Sequence, residues 1–154
     1  MEQILLQLNN ISVVYSDVIQ VLKGVSLAVE KNRIVSLLGS NGAGKTTTLK
    51  AVSGLLKPEN GRVTDGTILY REGEIQNQTP ETITRHGIIQ VLEGRQPFKY
   101  LTIEENLRVG TATRWGKPYR DDLERVYRYF PALEKRRRGL AGYKRNGESR
   151  PDST

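Results

Sequence analysis

Residues 39–46 read GSNGAGKT: a glycine, four residues, then Gly-Lys-Thr, the spacing of a loop that cradles phosphate. Such a loop must bring several backbone N–H donors onto oxygens that carry most of the charge. Gly39, Gly42 and Gly44 lack a Cβ, so the backbone can take positive φ and approach phosphate closely. A helix expected to begin near Gly44 adds its free N-terminal amides and the positive end of its dipole. Lys45 is expected at the β- and γ-phosphates as a point charge, and Thr46 is expected to offer its hydroxyl to Mg²⁺. With Ser40, Asn41, Ala43 and Thr47, these residues form the expected binding loop for ATP and Mg²⁺.

The flanks have the order that such a loop requires. Ile34-Val35-Ser36-Leu37-Leu38 precedes it, an apolar run with the length of a strand buried on both faces of a parallel sheet. Thr47 to Ser53 continues the expected helix, and Gly54 followed by Pro58 supplies its stop. Strand, loop and helix in this order predict an α/β fold with a P-loop core.

Other segments carry local signals. Leu6 and Leu8, then Ile11, Val13 and Tyr15, then Val25, Leu27 and Val29 alternate with period two, predicting an N-terminal antiparallel β subdomain. Glu30-Lys31-Asn32 is expected to turn, with Asn32 tolerating left-handed φ. Thr79-Pro80 has the cap and first-turn proline of a short helix that ends before Gly87. Thr102-Ile103-Glu104-Glu105 has the spacing of a capping box, so a helix is expected from Ile103. Leu123, Val126, Tyr127 and Phe130 fall on one helical face, in a stretch expected to end in the basic run 134–138.

Composition bounds the function. The chain has 154 residues, about one domain, and 36% hydrophobic residues, with no cysteine and hence no disulfide framework. MEQILLQLNN lacks the basic start of a signal peptide, and no stretch approaches the ~20 apolar residues of a membrane span. Any membrane association is therefore expected to come through a partner. Of the formal charge of +7, residues 1–107 contribute none, with 11 Lys and Arg against 11 Asp and Glu. Residues 108–154 carry 13 against 6. That distribution fits a solvated helix end better than a nucleic-acid surface, because no aromatic platform or recognition motif accompanies it.

The order of the pieces resembles the N-terminal part of an ABC transporter ATP-binding subunit. The resemblance is carried by Tyr15, by VLKGVSLAV at 21–29 and by IVSLLGSNGAGKTTTLKAVSGLLKPENG at 34–61. TPETITRHGI at 79–88 and VLEGRQPFKYLTIEENLRVG at 91–110 are similar to the branch serving branched-chain amino acid uptake. The resemblance implies that Tyr15 is the aromatic platform for adenine. It also implies that Glu93 stands where the family has a metal-contacting glutamine, which makes Glu93 a second candidate for Mg²⁺. Gln90 falls three residues too early for that role.

The implied organisation is a nucleotide-binding core over 1–110, the start of a helical subdomain over 111–142, and a disordered tail over 143–154. The implied function is the ATP-binding part of an importer for branched-chain amino acids, peripheral on the cytoplasmic face of the inner membrane. Membrane-embedded permease subunits and a second ATP-binding subunit are the implied partners. A non-catalytic nucleotide-binding module, an importer subunit for urea or short amides, and a basic nucleic-acid-binding protein are the alternatives.

The chain also departs from the family pattern. Asn32 and Arg33 stand in place of a glycine and a glutamate, and Leu92 in place of a proline. After YFPALEKRRRGLAG the chain runs YKRNGESRPDST, where the family would continue into an LSGGQ-type signature, a metal-binding aspartate, a catalytic glutamate and a switch histidine. His86, the single histidine, belongs to the short helix after Thr79. The expectation is therefore a fold incomplete at its C-terminus, with Ile34–Leu38 left at an exposed edge and no ATP turnover.

Overall fold

The computed structural model describes residues 3–94, 97–112 and 118–142. The chain divides into two compact units, Met1–Gln90 and Val91–Thr154.

The first unit is built on an antiparallel sheet of order β2-β1-β3-β4. Strand β1 (Ile4–Tyr15) turns directly into β2 (Ile19–Glu30), and β3 (Gly61–Tyr70) pairs with the other side of β1 before the short β4 (Gly73–Glu74). The period-two alternation is observed, including its break. Leu8 pairs with Leu27 and Ile11 with Val25, so the register shifts between them, and Asn10 takes φ 50° opposite Gly24 at φ 66°. The extra residue is a β-bulge, which leaves Leu8, Ile11 and Val13 all buried. Gly66 closes over it: a Cβ there would lie 2.3 Å from the Asn9 carbonyl oxygen.

Helix α1 (Lys45–Ser53) packs on this sheet. Its sequence, KTTTLKAVS, is a weak helix former by propensity, since three threonines crowd the first turns. Burial of Thr48, Ala51 and Val52 in the core with Leu8, Ile11, Val13, Leu22 and Ile68 holds it instead. The expected stop is present: Gly54 takes φ 74° and its N–H bonds the Lys50 carbonyl. A 3₁₀ turn, Lys57–Glu59, leads into β3. Asn32 turns the chain at φ 62°, as expected. Helix α2 (Pro80–Arg85) starts on Thr79, whose hydroxyl accepts from the Thr82 N–H, and Ile83 anchors it in the core.

The apolar run Ile34–Leu38, expected to be a strand, does not form one. Residues 34–38 have no regular structure, and Ile34 and Leu38 are 98% and 89% exposed. Residues 88–92 are likewise irregular, with Val91 92% exposed. The physical reason is pairing: a strand buried on both faces exists only when neighbouring strands take up its N–H and C=O groups. No strand among the described residues pairs with either run.

The second unit holds α3 (Ile103–Val109), α4 (Arg120–Tyr129) and α5 (Pro131–Lys135). The capping box is formed as expected: the Thr102 hydroxyl accepts from Glu105 N–H at 3.2 Å, while Thr102 N–H donates to the Glu105 carboxylate at 2.7 Å. The Asn106 amide clasps the preceding loop, accepting from Phe98 N–H and donating to the carbonyls of Phe98, Leu101 and Thr102. Thr102 forms an antiparallel bridge with Leu140. The apolar stripe 123–130 and the basic run 134–138 do not share one helix. Phe130 leaves the helical region at ψ 71° because Pro131 follows, and α5 starts anew on that proline. Residues 143–154, expected to form a disordered tail, lie outside the described residues.

The capping box has a measurable signature. Its hydrogen bonds to Thr102, the backbone bond first, hold the Glu105 carboxyl below its ordinary value of 4.5. A lowered folded-state pKa contributes stability that is present above the ordinary value and lost as pH falls through the lowered one. We expect the Glu105 titration midpoint, followed by NMR, to lie below 4.5 and to move part of the way back in Thr102→Ala, which removes the hydroxyl and keeps the N–H.

Candidate nucleotide site

The loop closes on itself through Lys45. Its ammonium donates to the carbonyl oxygens of Gly39 at 2.8 Å and Ser40 at 2.7 Å, and Ala43 N–H bonds the Ser40 carbonyl at 3.2 Å. An ammonium has three protons, so among the described residues one proton and the positive charge remain for an incoming acceptor. Ser40, Asn41, Gly42, Ala43 and Thr46 are exposed, Thr47 is half-buried, and Gly44 is buried.

Gly44 joins the loop to α1. At φ 82° it occupies the left-handed region, and a Cβ would lie 2.3 Å from Leu22 Cδ2. Its carbonyl starts the helix by accepting from both Thr48 N–H, at 2.8 Å, and the Thr48 hydroxyl, at 3.0 Å. A glycine cap offers no side-chain oxygen to the first-turn amides, and α1 has no acidic residue in its first turn. The other described α-helices all have one: Glu81 in α2, Glu104 and Glu105 in α3, Asp121 and Asp122 in α4, and Glu134 in α5. Among the described α-helices, every N-terminus thus carries an acidic residue except the one following the glycine loop. That end keeps free donors and dipole charge suited to an anion.

Tyr15 ends β1, with its ring half-buried against the core. It lies beside α1, within electrostatic reach of Lys50, a residue roughly 7.5 Å along the helix axis from Lys45. Lys50 is held charged above its ordinary value by the Glu59 carboxylate, to which it bonds at 2.6 and 2.7 Å. Gln90 accepts from the Ser53 hydroxyl at the opposite end of α1. This end of α1 lies about 12 Å along the helix axis from Lys45. Glu93 sits exposed in a turn of the second unit, followed by Gly94 at φ 90°. A separate cavity of about 630 Å³ is lined by Asp17, Ala51, Lys57, Arg62 and Asn77 among others, and by no loop residue.

Residues 22–146 match the sequence profile of the ABC transporter family. The chain belongs to this family. It is 36% identical over 144 residues to the high-affinity branched-chain amino acid transport ATP-binding protein BraG of Pseudomonas aeruginosa, covering 94% of this chain and 59% of that protein. It is 35% identical over 109 residues to the high-affinity branched-chain amino acid transport ATP-binding protein LivG of Escherichia coli, covering 71% of this chain and 40% of that protein. Among solved structures, an ATP-binding subunit of an ABC transporter aligns with TM-score 0.71 at 30% identity, over 88% of this chain and 54% of that one. A nucleotide-free ATP-binding cassette from an ABC transporter aligns with TM-score 0.68 at 25% identity, over 93% and 60%. The aligned part of the chain therefore spans between 40% and 60% of the length of these relatives. The fold is that of an ABC ATP-binding cassette, with the N-terminal antiparallel sheet in place.

Sequence reasoning named the loop residues but not the contacts around them. The Leu22 contact at Gly44 joins segments 22 positions apart and leaves no local signal. Gly44 and Gly42 share φ 82°, yet a Cβ on Gly42 would meet nothing within 4 Å. We expect Gly42→Ala to cost only the left-handed strain of about 1–2 kcal/mol, and Gly44→Ala to cost clearly more, compared by urea denaturation.

Proposed function

We propose that the chain binds Mg-ATP through the loop Gly39–Thr47 and acts as the ATP-binding part of an importer for branched-chain amino acids. The observation that carries this reading is the helix α1 N-terminus. It is uncapped and without acid, behind a glycine loop across which Lys45 folds. The substrate class comes from the relatives, which are named as branched-chain amino acid transport proteins.

In this reading the amides of the loop and of the first turn of α1 receive the phosphate oxygens. Lys45 trades its bonds to the Gly39 and Ser40 carbonyls for the β- and γ-phosphates, and Tyr15 stacks on adenine. Thr46 supplies a hydroxyl oxygen for Mg²⁺. This hard donor fits an ion that keeps one or two protein ligands and takes the rest from phosphate and water. Among the described residues no group of three or more His, Cys, Asp or Glu offers a metal cage of its own, which agrees with a shared ion. When bound, Mg²⁺ neutralises charge on the β- and γ-oxygens. The protein's share is to orient the triphosphate and to place fixed donors around it.

The proposed partners are permease subunits in the membrane and a second ATP-binding subunit, with the chain held at the cytoplasmic face. No helix among the described residues is long and apolar enough to cross a membrane, so attachment through a partner suits this placement.

Lys45 is the decisive residue. We expect Lys45→Ala to weaken binding of a fluorescent ATP analogue at least about tenfold, the loss of a charge-assisted contact, with the thermal unfolding of the apo protein little changed. Equal binding by the two proteins would remove the site assignment.

A further inference from the structure

We propose that Gly61 is a positioning residue that sets the plane of the Tyr15 ring for stacking on a nucleobase. The inference rests on the reading of Tyr15 as the base platform given above. Its observations come from the opposite strand.

Tyr15 and Gly61 face one another directly in the β1–β3 ladder. A Cβ on Gly61 would lie 2.8 Å from Tyr15 Cε1, 3.0 Å from Cδ1 and 3.2 Å from Cζ. The ring thus occupies the space that any other side chain would fill. Gly61 is in extended backbone, outside the positive-φ glycines. Its lack of a side chain therefore serves space and not conformation, and an aromatic ring laid over a cross-strand glycine covers backbone that would otherwise be bare.

The seat beneath the ring is held from three sides. Gly61 N–H bonds the Leu56 carbonyl at 2.9 Å, and Ser16 N–H bonds the Asn60 carbonyl at 2.8 Å. Arg62 pairs with Asp17 at 3.0 Å across the same two segments. Through Glu59, the 3₁₀ turn before Gly61 is tied to Lys50 of α1, the helix whose N-terminus carries the phosphate loop. Gly61 thereby links the tilt of the ring to the position of the loop, and with it the distance between base and phosphate.

The test separates base from phosphate. Titration calorimetry on the full chain compares Mg-ATP with inorganic tripolyphosphate for wild type, Gly61→Ala, Tyr15→Ala and the double variant. Stacking energies imply that Gly61→Ala weakens Mg-ATP about five- to tenfold, with tripolyphosphate unchanged and no further loss when Tyr15 is already alanine. Parallel loss of tripolyphosphate affinity, or an equal Gly61→Ala effect without the ring, would overturn the proposal. If Tyr15→Ala alone leaves Mg-ATP affinity intact, the platform reading falls and the proposal with it. If it weakens Mg-ATP while Gly61→Ala does not, the proposal alone falls. Should Gly61→Ala fail to fold, thermal unfolding of the double variant decides: recovery of stability supports the ring seat, and no recovery overturns it.

Discussion

Gly44 is the constraint on which both the core and the candidate site of the first unit depend. The chain must leave the loop in a left-handed conformation, pass beneath Leu22 without room for a single methyl group, and start a helix from its carbonyl. Each requirement alone is common at a helix start; together they fix the direction of α1 relative to the sheet. The core follows from that direction, because Ala51 and Val52 join the cluster of Leu8, Ile11 and Val13 only when α1 lies along it. The site follows too, since the same residue leaves the helix without a side-chain cap. Stability and binding therefore compete little at this point: the helix is held by its buried face, and its end is left open.

Local chemistry was legible in the sequence and pairing was not. Thr79 and Thr102 cap helices where the sequence placed them, Asn32 turns at positive φ, and Gly54 ends α1. Each of these is decided within a few residues, by one hydroxyl or by one missing Cβ. Ile34–Leu38 has the composition of a buried strand and is not one, because strand formation reports on neighbours more than on the run itself. The break at Pro131 was available in the sequence. The apolar stripe through Phe130 concealed it, as a side-chain period continues across a residue whose backbone has already left the helix.

The loop residues could be named because their spacing encodes the geometry they need. Tyr15 could be named only by resemblance, since an aromatic residue at the end of an amphipathic strand has no distinctive local pattern. What the structure adds is its surroundings. The ring lies against Gly61, a contact that joins residues 46 positions apart in the chain. Long-range register of this kind is set by the ladder as a whole, which is why no reading of residues 10–20 alone would find it.

The bulge at Asn9–Asn10 bears on how this gene can change. Because Leu6 and Leu8 precede it and Ile11 and Val13 follow it, the extra residue keeps both pairs on the buried face. Loss of one codon there would remove the extra residue and set Leu6, Leu8, Ile11 and Val13 in an unbroken alternation, so the apolar face would survive while the kink that the bulge puts into β1 would not. A deletion at these two asparagines would therefore change the course of the strand without changing which side chains it buries.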